Sequence, residues 1–225
     1  MPKFPPLPWT PLLLALTLSA TALATPAAVA EPGTALDAGW ILQKIARPVP
    51  ARTPFVEVRT SPMLKEPLRI TGEYRRPDGA TLVREVRSPY AETTTIAGGK
   101  ASIAREGRAA RTFALSRAPE LASLQQGFGS LLAGDRSTVE QHYRLKPSGT
   151  RARWTLVMTP KDAALAKRVR DITLYGQGAE LRCIETAPAT GNELQRTLLA
   201  GGARDAATAK TEPALAALCR RGTAR

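Results

Sequence analysis

Apolar and polar residues alternate with a period of two over most of the chain after Phe55, a pattern typical of β-strands. In LRITGEYRRP, residues 68–77, one face of the strand consists of Leu68, Ile70, Gly72 and Tyr74. The next residue on that face is Arg76, where an apolar side chain is expected, and Pro77 then ends the strand pairing. The connections between strands, such as PDGA and AGGK, are too short for crossover helices, so the pattern predicts an antiparallel meander.

Two segments repeat their apolar residues at helical spacing instead. In residues 35–46, where Thr34 is the expected N-cap, the apolar stripe consists of Ala38, Ile41, Leu42 and Ile45. In residues 118–135 the stripe consists of Leu121, Leu124, Phe128 and Leu131. Gly127 and Gly129 each weaken this second helix by about 1 kcal/mol relative to alanine. A helix that is both apolar and weakened is either tightly packed or able to move.

Strand patterns resume after this helix. Residues 137–147 place Val139, Tyr143 and Leu145 on one face, and residues 151–161 do the same for Trp154, Leu156 and Met158. A hairpin follows, with its turn at residues 176–178. The segment ELQRTLLAG fits a strand or a helix equally well, and the alanine-rich tail, residues 203–220, is predicted to be helical. Since one face of such a sheet has to be covered, the helices are expected to cover it.

The first 30 residues indicate the compartment. Lys3 is their only charge, and the apolar run over residues 11–24 is shorter than the roughly 20 residues that a transmembrane helix needs. Small residues suitable for cleavage end at Ala24 and at Ala30. We therefore predict a signal peptide over residues 1–30, cleaved after Ala24 or Ala30, and an exported mature chain of one domain.

The chain carries a formal net charge of +13, which raises the question of an acidic partner. Export disfavours nucleic acid, and no basic run is interleaved with stacking aromatic residues. The arginines are spread along outward strand positions. A solvated basic face accounts for them, and attraction to acidic lipid headgroups or to an acidic docking partner is the alternative.

The chemistry-bearing residues are few. Cys183 and Cys219 are the only cysteines, and in an oxidising compartment they are expected to form a disulfide, with two separate thiols as the alternative. Two cysteines and one histidine do not make a zinc site. His142 is predicted to be an exposed strand residue, on the face opposite to that of Tyr143. The sequence has neither a nucleophile elbow nor a phosphate-binding loop. The sequence therefore predicts a protein that is not an enzyme and has no cofactor or metal.

The order of these elements, with several short motifs, resembles the LolA-type outer-membrane lipoprotein carriers of the Gram-negative periplasm. The matching pieces are GEYRRP (residues 72–77), GGK (residues 98–100), the leucine-rich helix after Pro119, WTLVMTPKD (residues 154–162) and ITLYGQGAELRCIE (residues 172–185). The resemblance covers about residues 36–199 and rests on order and spacing rather than on one motif. It implies a LolA-like half-barrel domain over residues 31–202. The basic, alanine-rich tail over residues 203–225, which is predicted to be helical, is unlike the typical carrier.

The resemblance implies an incomplete antiparallel β-barrel, a curved sheet whose hydrophobic cavity is covered by a helical lid. The predicted wall of this cavity is Val56, Val58, Leu68, Ile70, Tyr74, Trp154, Leu156 and Met158. The predicted lid is Leu121, Leu124, Phe128 and Leu131. Plain core packing is the alternative for each of them. Arg76 would hydrogen-bond backbone of the lid and hold the empty cavity shut, or it is a surface arginine beside a turn, like Arg75.

The expected function is that of a monomeric periplasmic carrier. It would hold the acyl chains of a lipoprotein or other lipid-linked envelope molecule, receive them from an inner-membrane donor complex and deliver them to an outer-membrane receptor. The segments DGATLVREV and ASIARE depart from the family, whose carriers have aromatic residues at these places. These departures indicate a divergent branch of the family and leave another lipid-linked envelope molecule as the alternative to a triacylated lipoprotein. A lipid-sensing or regulatory module of the same fold and a structural envelope-interaction domain are the alternatives.

Overall fold

Antiparallel pairing dominates the computed structural model, which describes residues 36–59, 67–117, 129–191, 194–207, 209 and 211–221. Within these residues one sheet contains 11 strands. They are β1 (Ala51–Arg59), β2 (Leu68–Arg76), β3 (Leu82–Ser88), β4 (Glu92–Ala97), β5 (Lys100–Arg105), β6 (Arg108–Ala114), β7 (Tyr143–Gly149), β8 (Trp154–Pro160), β9 (Val169–Gln177), β10 (Glu180–Pro188) and β11 (Gln195–Leu199).

The strand order is β6-β5-β4-β3-β2-β1-β11-β10-β9-β8-β7, so β1 pairs with β11 and the two halves of the chain join in the middle of the sheet. β6 and β7 are the two edges, and the described sheet does not close into a barrel. This confirms the predicted fold class, a mainly antiparallel open sheet with a few helices. The hairpin between β4 and β5 turns at Gly98 and Gly99, where φ is 54° and 71°.

The helices are short. They are α1 (Ala38–Ile45), α2 (Arg136–His142), α3 (Ala163–Ala166), α4 (Gly201–Asp205) and α5 (Glu212–Arg221), with a 3₁₀ turn at Leu115–Arg117. Residues 129–133 are also helical. In the described part of the chain, no helix is long and apolar enough to cross a membrane.

The predicted apolar stripe of α1 is buried against the sheet, namely Ala38, Ile41, Leu42 and Ile45. The N-cap differs from the prediction. The Asp37 carboxylate accepts a hydrogen bond from the backbone N–H of Trp40, whereas Thr34 lies outside the described residues. An aspartate at this position satisfies a free N–H at the helix start and places its charge at the positive end of the helix dipole.

The two faces of the sheet have different cover. The inner face carries Phe55, Ile70 and Leu174, and it packs against α1 in the main core cluster. The outer face carries Val56, Cys183 and Leu198, and these residues pack against α4, α5 and the residues that connect them. The sequence predicts a helical tail but not that this tail covers the outer face. Because of this cover, the central strands are buried on both sides.

The strand register corrects the prediction for β1. Val56 and Val58 pair with Thr71 and Arg69 and lie on the outer face, whereas Phe55 and Glu57 share the inner face with Ile70. The prediction that the two valines line the same wall as Ile70 is therefore wrong. Because the tail covers the outer face, valines at these positions are buried without facing the inner side of the sheet.

Residues 136–142 also depart from the prediction, because they form α2 rather than a strand. The Asp135 carboxylate caps the helix by accepting hydrogen bonds from the Thr138 backbone N–H and hydroxyl. His142 is consequently the last residue of α2, not an exposed strand residue. The strand predicted over residues 137–147 begins only at Tyr143, the first residue of β7. The segment ELQRTLLAG, which fits a strand or a helix in the sequence, contains strand β11.

The tail is fixed to the outer face by covalent and polar contacts. Cys183 in β10 and Cys219 in α5 form a disulfide. The Arg69 guanidinium donates hydrogen bonds to the carbonyl oxygens of Ala206 and Ala209, at 2.5 and 2.8 Å. Arg196 of β11 forms an ion pair with Glu212 of α5, and Arg182 of β10 forms one with Asp205 of α4. The predicted disulfide is present, and the tail contains the two short helices α4 and α5 rather than one continuous helix.

Candidate functional site: a cleft on the inner face

The inner face is divided into a closed part and an open part. In the closed part, Trp154, Leu156 and Met158 are buried together with Ile41 and Leu42 of α1 in one packed core. The open part lies on the inner side of β1 to β6 and extends to the edge strand β6. A ligand can therefore reach the sheet at the open part without displacing α1.

The open part forms a cleft with two adjoining sections. The first section, about 290 Å³, is lined by Glu57, Arg59, Tyr74, Leu82, Arg84, Glu92, Thr94, Ile96, Ile103, Ile184, Thr186, Gln195 and Thr197. The second, about 650 Å³, is lined by Glu92, Ile103, Arg105, Arg108, Ala109, Ala110, Arg111 and Phe113. Glu92 and Ile103 belong to both. Cavities of about 300–1,000 Å³ are typical of ligand sites.

The predicted cavity residues are distributed unevenly over these parts. Tyr74 lines the cleft. Ile70, Trp154, Leu156 and Met158 belong to the packed core, and Leu68 packs at its margin. Val56 and Val58 lie on the other side of the sheet. Whether the core residues contact a lipid stays a prediction.

The predicted lid is described only at its end. Leu131 is buried in the core next to Leu132. Leu121, Leu124 and Phe128 lie outside the described residues.

A chain of charged side chains crosses the floor of the cleft. The Glu57 carboxylate is 2% exposed and accepts hydrogen bonds from Arg84 at 2.7 Å and from the Gln195 amide at 3.0 Å. Arg59 also donates to Glu57, and Arg105 donates to Glu92. Arg84 lies between the two glutamates, with its Nη1 3.8 Å from Glu92. Each carboxylate in the cleft is therefore already paired with arginine.

Aromatic rings support this chain from the side. The Arg84 guanidinium lies 4.9 Å from the centroid of the Phe55 ring, and Phe55 packs against Tyr74 with ring centroids 4.7 Å apart. Burial raises the pKa of the Tyr74 phenol, and the nearby Arg84 lowers it in part. The phenol thus stays neutral at ordinary pH and acts as a hydrogen-bonding group on an apolar wall.

The sequence did not reveal this polar floor. The signal that could have found it is the phase of FVEVRT, in which Glu57 alternates with Val56 and Val58 but shares a face with Phe55. The period of two predicts the strand correctly, but it does not show which of the two faces is the inner one.

Arg76 lies on the inner face at the end of β2 and is 6% exposed. Its Nη1 donates a hydrogen bond of 3.2 Å to the carbonyl oxygen of Arg47, just after α1. The Arg47 backbone N–H donates in turn to the carbonyl oxygen of Leu132 at 2.8 Å, and its guanidinium donates to the Ala179 carbonyl. Arg76 is thus connected to the residues that follow α1 and, through Arg47, to the helical segment 129–133.

The polar side chains of the cleft include arginine, glutamate paired with arginine, and the neutral phenol of Tyr74. Among the described residues, no group of three or more His, Cys, Asp or Glu side chains could hold a metal ion.

One protein-family model matches most of the chain. The family model described as "Outer membrane lipoprotein carrier protein LolA-like" matches residues 30–222. A comparison with curated proteins found no match.

Several solved structures are similar to the chain. A LolA superfamily protein from Nitrosomonas europaea is 11% identical, with a TM-score of 0.41, over 74% of this chain and 92% of that one. The MucA/MucB complex of Pseudomonas aeruginosa is 15% identical, with a TM-score of 0.36, over 73% and 56% of the two chains. LprF from Mycobacterium bovis is 15% identical, with a TM-score of 0.35, over 72% and 90%.

Proposed function

Because the chain belongs to the LolA-like family of outer membrane lipoprotein carrier proteins, we propose that it is a non-enzymatic carrier of acyl chains in the periplasm. The cargo is an acylated lipoprotein or another lipid-linked envelope molecule, which the protein delivers toward the outer membrane. The observation that carries this proposal is the cleft on the inner face, whose wall includes the aliphatic side chains of Leu82, Ile96 and Ile103. Ile103 is half-buried, and Leu82 and Ile96 are buried beside it in that wall.

The aliphatic residues of the cleft form a surface on which an acyl chain could lie. Leu82 and Ile96 are cross-strand partners, and Ile103 lies across from Thr94 on the next strand, so the aliphatic residues follow one another across β3, β4 and β5. Each methylene that moves from water onto such a surface contributes about 0.8 kcal/mol. A carrier needs such a surface to be reachable, which the closed core around Trp154 is not.

The periplasm is supported by two features. The apolar segment over residues 11–24 predicts export, and the Cys183–Cys219 disulfide is of the kind that persists in an oxidising compartment. The sequence has no nucleotide-binding motif. The energy for loading would therefore come from an inner-membrane donor complex. Release would be to an outer-membrane receptor.

The test uses a pair of variants in one strand. Ile103→Lys places a charge inside the cleft, and Ser102→Lys places the same charge on the opposite face of β5. Purified mature protein from envelope extract is examined by native mass spectrometry, and its affinity for palmitate is measured by calorimetry. We expect bound lipid in the wild-type protein and in Ser102→Lys, and a loss of affinity of about tenfold or more in Ile103→Lys.

The outcomes separate the alternatives. Bare protein that also fails to bind added palmitate contradicts both a carrier and a lipid sensor, and leaves a structural envelope domain. Bound lipid that does not transfer to acceptor membranes favours the sensor. Equal affinity in the two lysine variants contradicts the assignment of the cleft.

A further inference from the structure

The charges around the cleft point to the kind of molecule that it accepts. Its two sections are lined by five arginines and two glutamates, an excess of three positive charges. The two glutamates are used within the protein, since Glu57 binds Arg59 and Arg84, and Glu92 binds Arg105. No carboxylate in the cleft is therefore available to a cationic ligand.

Two of the arginines have no such partner. Arg108 and Arg111 on β6 are exposed, and within the described residues neither forms an ion pair with a carboxylate. Both line the larger section of the cleft. Arginine presents a planar set of donors that matches the oxygens of carboxylate and phosphate groups, and its charge is not lost at any physiological pH.

The unpaired arginines adjoin the apolar part of the same section. Arg111 is the cross-strand partner of Ile103, and Phe113 is the partner of Ala101 on the same side of the sheet. An acyl chain on Ile103 and Phe113 would therefore bring its polar end to Arg111 and Arg108. The arrangement places an anion-binding edge directly beside an acyl-binding surface.

We propose that the cleft selects amphiphiles with an anionic group, a phosphate or a carboxylate, which Arg108 and Arg111 bind while Ile103 and Phe113 hold the chain. This rests on the proposed function and adds the class of cargo to it. The excess positive charge also raises the local concentration of such molecules, because a cleft lined with one sign of charge focuses its field.

The test compares four single-chain probes of equal length: hexadecyl phosphate, palmitate, hexadecanol and hexadecylamine. Their affinities for the full mature chain are measured by calorimetry below the concentrations at which they aggregate. We expect both anionic probes to bind about tenfold more tightly than hexadecanol, and hexadecylamine to bind most weakly. A difference between hexadecyl phosphate and palmitate tells which anion the arginines prefer.

Matched variants locate the effect. The double variant Arg108→Gln/Arg111→Gln removes two charges from one edge of the sheet, and Arg144→Gln/Lys146→Gln removes two charges from the other edge, where both residues are exposed on β7. We expect the first pair to abolish the preference for anionic probes and to leave hexadecanol affinity unchanged. The second pair should retain the preference. A higher salt concentration should weaken it in the wild-type protein.

Failure of this inference differs from failure of the proposed function. Equal affinity for palmitate and hexadecanol, or an unchanged preference in Arg108→Gln/Arg111→Gln, overturns the anionic selection but leaves an acyl carrier. Failure to bind any of the four probes overturns both.

Discussion

Glu57 is a charged side chain at the centre of the sheet, and its partners make that position possible. Burying a lone carboxylate is costly, but this one is bound by two arginines and an amide. These three partners together compensate for the loss of hydration of the carboxylate. The network therefore keeps this part of the inner face polar, and the cleft cannot be filled by the collapse of apolar side chains onto it.

Gly176 allows the close approach of another buried residue. A Cβ atom at this position would lie 2.0 Å from Cζ2 of Trp154, whose ring is 1% exposed and whose Nε1 donates to the Gly178 carbonyl. Because the ring has no room to move, we expect Gly176→Ala to lower the free energy of unfolding by about 3 kcal/mol. Denaturant titration measures this. Gly79→Ala, where no atom lies within 4 Å of the new Cβ, should change little.

Arg76 is the residue whose role the sequence left open between a latch and a surface arginine. Arg76 donates a hydrogen bond to the Arg47 carbonyl, and the Arg47 N–H donates to the Leu132 carbonyl. If the first bond holds the segment after α1 in place, Arg76→Leu should weaken the second. A hydrogen bond to a charged group is worth about 1.5–3 kcal/mol, so the Arg47 amide should exchange with solvent about tenfold faster or more.

The neighbouring residue provides the control for this measurement. Arg75 lies on the outer face and pairs with Glu85, so Arg75→Leu should leave exchange at Arg47 unchanged. If Arg76→Leu also leaves it unchanged, Arg76 does not act as a latch.

At the scale of elements, most of the fold followed from periodicity and turn residues. The strand over residues 68–76, the hairpin at Gly98–Gly99 and α1 all have local signals that agree with their tertiary environment. The local signal of residues 136–142 is ambiguous, because Val139 and Tyr143 fit both a period of two and the spacing of a helix. The Asp135 cap decided between them, and its signal is a single residue.

Less of the candidate site could be predicted, for a physical reason that β1 illustrates. An edge or half-exposed strand shows its buried face by its apolar residues, but β1 is covered on both faces. Burial therefore no longer identifies the inner side. The clear alternation of β2 predicts the face on which Tyr74 lies, whereas Glu57, Arg84 and Gln195 come together only through pairing between distant strands.

At the scale of the whole molecule, the two faces of the sheet are suited to different tasks. Over the central strands, the tail covers the outer face through a disulfide, ion pairs and apolar contacts, all of which stabilise the fold. Within the described residues, the inner face is packed under α1 and holds the cleft over β1 to β6. A protein that must expose an apolar surface to its cargo can do so more safely when the other side of the same sheet is firmly closed.

This division predicts that stability and binding can be changed separately. The disulfide joins residues 36 positions apart, and removing it should cost about 3–4 kcal/mol of unfolding free energy on the chain-entropy model. We expect Cys183→Ala/Cys219→Ala to show this loss in denaturant titration, as should the wild-type protein in reductant. The affinity of the double variant for palmitate should stay within about twofold of the wild-type affinity, because distant sites contribute independently. This affinity is measured without denaturant, under conditions in which the variant is folded. A loss of affinity that parallels the loss of stability would mean that the tail shapes the cleft through the sheet.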